Sequence, residues 1–248
     1  MDLSSAVLKE RAKTKLKGNY GMAFAACFVY SAIISLIAGL SSVPTVMQTF
    51  RIVSQGGFED AFQMSVTGSP LTSLGSIVEF LVMGPLEVGL TAFFMRLAVT
   101  RQTEIEDLFS GFRKYGKSLL LTLLIGIFTM LWTLLLIVPG IIASLRYSMA
   151  YYILNDNPEM SPTEALNASK EMMKGHCGEL FVLHLSFLGW YLLAILTLCV
   201  GFMFLEPYRC AAMAEFYYEV SGKNAEAAMP PEGGYEEDYT YMTGDYTE

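Results

Sequence analysis

Three long stretches of this sequence contain no charged side chain. No Asp, Glu, Lys or Arg occurs in residues 18–50, 118–145 or 180–205. An apolar stretch of about 18 residues or more is typical of a helix that crosses a membrane, whereas a helix of a soluble core needs a charged face for water. Only 16% of the 248 residues are charged, against about a quarter in ordinary soluble domains. The sequence therefore predicts an all-α membrane protein.

The charge-free stretches and the turn-forming residues between them predict six spans in one membrane domain, residues 1–220. A polar stretch from Ser41 to about Ser73 follows the first span, and we expect it to be an outer loop. Pro139 and Gly140 interrupt the third apolar region, which is long enough to cross a ~30 Å hydrocarbon core twice. A further turn is expected near Gly201. The predicted spans are about residues 20–40, 74–97, 118–138, 140–154, 179–199 and 201–220.

The distribution of basic residues predicts which side of the membrane the chain ends face. With six spans, Arg51 is the only one of the 16 Lys and Arg residues on the outer side. An arrangement of four spans would place Arg146, Lys170 and Lys174 outside as well. Because Lys and Arg are enriched in cytoplasmic loops, we favour six spans with both termini in the cytoplasm.

A pattern that recurs three times predicts a helical bundle built from three hairpin-like repeats. Each repeat begins with a short polar helix and a Gly beside aromatic residues. It continues through two spans separated or bent by a proline, and it ends in aromatic residues. The short polar segments are expected to be amphipathic helices on the inner membrane surface. The three prolines are Pro85, Pro139 and Pro207.

Two of the polar segments begin with a signal for a helix start. Thr103 followed by Glu106 fits a capping box, in which two side chains bind the unpaired amides of the first helical turn. Ser161, followed by a proline at the first helical position and by Glu164, is the stronger signal. We expect this second helix to cover residues 161 to about 174.

The end of the chain differs in composition from the rest. From Asn224 onward there are seven acidic residues and no basic one, which accounts for most of the net charge of −8. Residues 221–248, acidic and rich in Tyr, predict a disordered cytoplasmic tail, which either docks a partner protein or only keeps the chain solvated. Membrane lipids are expected partners of the surface helices. Nucleic acid is not, because the sequence has no basic stretch with interleaved aromatic residues.

Several motifs of this chain are distinctive when taken together. They are residues 16–20 (LKGNY), 138–150 (VPGIIASLRYSMA), 152–158 (YILNDNP), 173–176 (MKGH) and 183–190 (LHLSFLGW). With these motifs the chain resembles the bacterial membrane-protein family catalogued as domain of unknown function nine hundred and seventy-five. The resemblance covers about residues 3–220 and implies a multi-span protein of the bacterial inner membrane. It implies no activity, cofactor or site residue.

Of the charged residues inside predicted spans, we single out five, because an unpaired charge there costs several kcal/mol and usually faces the bundle interior. Four of these share one depth zone and are our candidate residues for a buried ion pair or a transport pathway. We expect at least one of the two arginines to meet a glutamate. The four candidates are Glu87, Arg146, Glu206 and Arg209, and the fifth residue is Glu79.

The sequence shows no arrangement typical of catalysis or metal binding. Neither His176 nor His184 has a Cys, His or carboxylate four residues away to complete a metal site, and the four cysteines form no CxxC pair. We predict no cofactor, no metal and no enzymatic activity. Two functional hypotheses stay open. One is a non-enzymatic membrane scaffold or accessory protein, and the other is a small transporter that uses the four candidate charges.

Overall fold

Helix is the regular structure throughout the described part of the chain. The computed structural model describes residues 4–54, 57, 59–60, 70–100, 103–196 and 200–223, and these contain no strand. The helices are α1 (Ser5–Leu16), α2 (Tyr20–Ser54), α3 (Pro70–Thr100), a 3-10 helix (Ile105–Phe109), α4 (Ser110–Arg113), α5 (Tyr115–Leu135), α6 (Ile137–Tyr147), α7 (Ala150–Asp156), α8 (Pro162–Met172), α9 (Cys177–Leu196) and α10 (Val200–Val220).

Five helical segments in the described residues are long and apolar enough to cross a membrane. They are Tyr20–Ser54, Leu74–Thr100, Tyr115–Leu135, Ile137–Asp156 and Cys177–Leu196. The helix α10 is not among them, although it has 21 residues, because it carries four charged residues. The chain therefore has the helices of a multi-pass membrane protein.

The first apolar helix is longer than expected. The outer loop predicted to start at Ser41 is wrong in its first part, because α2 continues as a helix to Ser54. The hydroxyls of Ser41 and Ser42 donate to the carbonyls of Ala38 and Gly39, both at 2.9 Å. Because these hydroxyl groups are satisfied by carbonyls of their own helix, they do not need water as a partner. The helix can therefore continue through this polar stretch.

The helices α2 and α3 form an antiparallel pair. Tyr30 contacts Glu87, and Ser41 lies directly against Gly75. Later residues of α2 therefore contact earlier residues of α3, as in any antiparallel pair. Gly75 permits this approach because a Cβ atom there would overlap the Ser41 side chain. Inside a membrane the hydrophobic effect does not drive helices together, so small residues that let the backbones approach closely stabilise their packing.

The turn between α5 and α6 lies earlier than predicted. The chain breaks at Leu136, which has an extended backbone (φ −161°, ψ 143°). Pro139 and Gly140 are in the first turn of α6, where a proline is tolerated because the amide it lacks has no intrahelical partner there. Gly140 lies so close to Thr133 that a Cβ atom would be 2.8 Å from the Thr133 Cα. The two helices therefore form a tight hairpin with a single connecting residue.

The helix α8 confirms the predicted capping box. The Glu164 amide donates to the Ser161 hydroxyl at 3.3 Å, and the Ser161 amide donates to the Glu164 carboxylate at 2.8 Å. The Ser161 hydroxyl also donates to the Glu164 carboxylate at 2.8 Å, and the bonds from the Ser161 amide and hydroxyl hold the pKa of Glu164 below its usual value. The other predicted cap is wrong by one residue, because the 3-10 helix is capped by Glu104, whose amide donates to Asp107.

The helix α10 packs against α1, α2, α3 and α9, and its Tyr217 also stacks on Tyr152 of α7. Its second half is buried through Ala211, Ala212, Ala214, Phe216 and Tyr217. The helix α1 is attached beside it. Arg11 forms an ion pair with Glu219 at 2.7 Å, and the Tyr208 hydroxyl donates to the Lys9 carbonyl at 3.2 Å. The predicted turn before Gly201 lies partly outside the described residues, as does the predicted tail from residue 224 onward.

Candidate functional site

Arg209 and Glu206 form an ion pair on one face of α10. The Arg209 Nε donates to Glu206 Oε2 at 2.6 Å, and its Nη2 lies 3.4 Å from Oε1. The side chains are 28% and 39% exposed. A spacing of three residues places both on the same helical face. The pair therefore neutralises both charges within one helix.

Glu87 lies on α3 near this pair, and Tyr30 binds its carboxylate. The Tyr30 hydroxyl donates to Glu87 Oε2 at 2.9 Å. The charges of Arg209 and Glu206 both act on the Glu87 carboxylate, so the three groups share one electrostatic environment. Glu79, two turns earlier on α3, is half-buried. Three of the four candidate residues, Glu87, Glu206 and Arg209, are thus brought together at the junction of α2, α3 and α10, and we call them the charge cluster.

Arg146, the fourth candidate, lies apart from these three. Its side chain is exposed and lines a groove of about 410 Å³ together with Trp132, Tyr147 and Lys170. Lys170 lies over the rings of Phe128 and Tyr147, 5.3 and 5.4 Å from their centroids. The Arg146 carbonyl accepts a hydrogen bond from Ser169 at 2.7 Å. The residue therefore belongs to the contact between α6 and α8 rather than to the charge cluster.

Two thiols lie next to the charge cluster. Cys27 on α2 and Cys210 on α10 are 6% and 9% exposed, and the two thiols lie close to each other. The Arg209 Nη2 lies 3.9 Å from the Cys210 sulfur. A cavity of about 80 Å³ between the two helices is lined by Cys27, Ser31 and Glu206. It has room for a few water molecules beside the ion pair, but not for a larger solute.

A larger groove lies between α1, α9 and α10, with a volume of about 590 Å³. Lys13 and Lys17 line it where α1 ends, and Trp190, Phe204 and Tyr208 belong to its apolar walls. Beside it, the Lys9 ammonium donates to the Ser186 carbonyl at 2.8 Å and lies 4.5 Å from the centre of the Phe187 ring. Partial burial of the Lys9 ammonium in these contacts lowers its pKa.

Each of the two histidines contacts a residue close to it in the sequence. His176 Nδ1 lies 2.7 Å from Glu179 Oε2, and His184 Nδ1 lies 2.9 Å from the Leu180 carbonyl. Within the described residues, no group of three or more His, Cys, Asp or Glu side chains is placed to hold a metal ion.

Sequence reasoning missed Tyr30, the thiol pair and both grooves. A tyrosine in the middle of an apolar span has a buried hydroxyl that needs a hydrogen-bond acceptor. The sequence alone could therefore have indicated that Tyr30 has a polar partner. The meeting of Cys27 with Cys210 had no local signal, because it depends on how α2 crosses α10. The only two tryptophans of the chain, Trp132 and Trp190, each line one of the grooves.

The apolar helices and the internally paired charges define a multi-pass helical membrane protein. The chain belongs to the family described as "Protein of unknown function (DUF975)", which matches residues 1–143 and 133–224. The resemblance found in the sequence motifs is thereby confirmed. Comparison with curated proteins gives no match, and comparison with solved structures gives none either.

Proposed function

We propose that this protein is a non-enzymatic scaffold or accessory protein of the bacterial inner membrane, with six spans and both termini in the cytoplasm. Residues 1–220 form the membrane domain, and residues 221–248 form a disordered tail that is available to a protein partner. The three hairpin repeats are α2 with α3, α5 with α6 and α7, and α9 with α10. Each of these sets is in contact within the fold.

The observation that carries this proposal is the internal pairing of three of the four charged residues on α10, Glu206, Arg209 and Glu219. Arg209 is bound by Glu206 on the same helix, and Glu219 is bound by Arg11 of α1. Paired charges cost far less in a membrane than free ones, so these pairs make it physically reasonable for α10 to be the sixth span. Side chains that are already paired with each other are less available to a passing solute, which favours the scaffold over the transporter.

The distribution of basic residues supports the orientation. With α10 as a span, Arg51 remains the only one of the 16 basic residues on the outer side. The helices α1 and α8, which carry several of the others, then lie at the cytoplasmic side, where anionic lipids and soluble partners are both available. The acidic tail leaves the bundle on the same side.

The natural thiols offer a test that separates the scaffold from the transporter. In a variant with Cys177→Ser and Cys199→Ser, only Cys27 and Cys210 remain, and both lie beside the Arg209 ion pair. Intact cells and inside-out vesicles are treated with a maleimide that cannot cross membranes. A scaffold predicts no labelling from either side, because no wide aqueous path reaches the cluster.

The matched control is Lys174→Cys in the same background, since Lys174 is exposed between α8 and α9. It should label from the cytoplasmic side. Labelling of Cys27 or Cys210 by the same reagent would reveal a water-filled path to Glu87 and Arg209. That result would overturn the scaffold and favour the small transporter.

A further inference from the structure

The groove between α1, α9 and α10 has the chemistry of a site for a charged amphiphile. Its volume of about 590 Å³ is within the range of about 300–1,000 Å³ that is usual for small-molecule sites. The lining residues include Lys13 and Lys17 but no acidic residue. Most of the remaining wall is apolar, so the groove combines a positive region with a long hydrophobic surface.

The two lysines are available to a ligand, in contrast to other basic residues of α1. Lys9 donates to the Ser186 carbonyl, and Arg11 binds Glu219. Lys13 and Lys17 are both exposed, and among the described residues no carboxylate lies within ion-pair distance of either. Gly18 follows directly with a φ of 90°, a conformation that a side chain would strain. This turn ends α1 at the groove and holds Lys17 beside it.

The aromatic walls of the groove are fixed by hydrogen bonds. The Tyr20 hydroxyl donates to the Phe204 carbonyl at 2.6 Å, and the Tyr208 hydroxyl donates to the Lys9 carbonyl. Trp190 completes this side and is half-exposed. Tyr and Trp are typical of the boundary between lipid headgroups and hydrocarbon. These side chains are therefore already ordered before a ligand binds, so binding costs them little conformational entropy.

We infer that this groove binds one anionic phospholipid, with its phosphate at Lys13 and Lys17 and an acyl chain along Trp190, Phe204 and Tyr208. A lipid is the occupant that fits, because the wall supplied by α9 belongs to a helix apolar enough to cross the membrane. The opening therefore faces the bilayer. The inference rests on the proposed membrane scaffold and specifies the lipid that such a scaffold retains.

The second groove provides a matched comparison within the same chain. It also contains a tryptophan and two basic residues, Arg146 and Lys170. There, however, Lys170 is engaged with two aromatic rings and donates to Asn167 at 3.2 Å. We expect the lipid preference to come from the first groove.

The test measures lipid binding to the purified full-length protein by native mass spectrometry, over titrations with phosphatidylglycerol and with phosphatidylcholine. Each lysine near an anionic lipid contributes about fivefold, so the pair should favour phosphatidylglycerol about thirtyfold. The double variant Lys13→Gln/Lys17→Gln should lose this preference, whereas Arg146→Gln/Lys170→Gln should keep it. Circular dichroism in lipid-free detergent checks that both variants are folded.

Three results would overturn the inference. They are equal binding of the two lipids by the unaltered protein, a preference that survives in Lys13→Gln/Lys17→Gln, and a preference lost only in Arg146→Gln/Lys170→Gln. Displacement of the lipid by soluble glycerol phosphate would likewise show that the apolar walls hold no chain. A negative result here leaves the thiol-labelling test unaffected, so failure of the lipid site can be told apart from failure of the scaffold proposal.

Discussion

Two glycines at the contact between α3 and the segment that follows it should be intolerant of any side chain. A Cβ atom at Gly89 would lie 2.5 Å from the carbonyl carbon of Leu108 and closer still to its oxygen. A Cβ atom at Gly111 would lie 2.9 Å from the carbonyl carbon of Pro85. In both cases the obstacle is backbone, which cannot rotate away as a side chain can. The closest contacts are to the carbonyl oxygens of Leu108 and Pro85, so the 3-10 helix and α4 would have to move by about 1.5 Å to restore ordinary contact distances of about 3.5 Å.

The expected size of the effect follows from two opposing contributions. Forcing a methyl group into a packed contact costs about 1–3 kcal/mol, and the better helix propensity of Ala returns up to about 1 kcal/mol. Because the clash is with backbone, the upper part of the first range applies, and Gly89→Ala should lower the free energy of unfolding by about 1–2 kcal/mol. Gly126 is the matched control, since a Cβ atom there meets no other atom within 4 Å. Gly126→Ala should be neutral or stabilising by up to about 1 kcal/mol.

The assay is unfolding in mixed micelles by titration with sodium dodecyl sulfate, followed by the fluorescence of the two tryptophans. Gly89→Ala and Gly111→Ala should both unfold at lower detergent fractions than Gly126→Ala. If Gly89→Ala were as stable as Gly126→Ala, the close approach of residues 105–111 to α3 would be refuted.

Three further predictions concern the ion pair, the cap of α8 and the orientation. Glu206→Gln and Arg209→Gln should each cost about 2–3 kcal/mol of unfolding free energy, because each leaves its partner unpaired in an apolar environment. The double variant should cost less than the sum of the two, and additive costs would argue against the pair. Ser161→Ala should cost about 1 kcal/mol. Because the folded pKa of Glu164 is lowered, its contribution is present above its unfolded pKa of about 4.3 and disappears as pH falls through the folded value. The difference in stability between the protein and Glu164→Gln should therefore shrink in acid, and a constant difference would be inconsistent with the capping bonds. Reporter fusions at the tail and near Gly57 should report cytoplasm and exterior, respectively, and an exterior tail would reverse the topology.

The sequence predicted those features that depend on local chemistry. The start of α8 followed from three residues within one helical turn, and the structure has the same bonds. The apolar helices followed from the absence of charge. The turn at Pro139 was placed three residues too late, because a proline can occupy the first turn of a helix as easily as the break before it. The loop after Ser41 was misread because its serines bind their own helix.

The charge cluster shows where sequence reasoning ends. That Glu206 and Arg209 would meet follows from their spacing on one helix. That Glu87 would lie near them, while Arg146 would not, depends on how α3 and α6 pack around α10. The partners Tyr30 and Cys27 come from α2, and no local pattern sets the angle at which α2 crosses the bundle.

The single residue between α5 and α6 has a consequence for how the protein enters the membrane. With only Leu136 between them, the two helices cannot be separated along the chain, and Gly140 is already seated against Thr133. The tip itself is apolar and uncovered, with Leu134 80% exposed and four further apolar residues following it. When this hairpin inserts, no hydrophilic loop at its tip has to be carried across the bilayer. We therefore expect α5 and α6 to enter the bilayer together as one hairpin. The apolar surface of α5 then offsets the cost of inserting Arg146, which lies on α6.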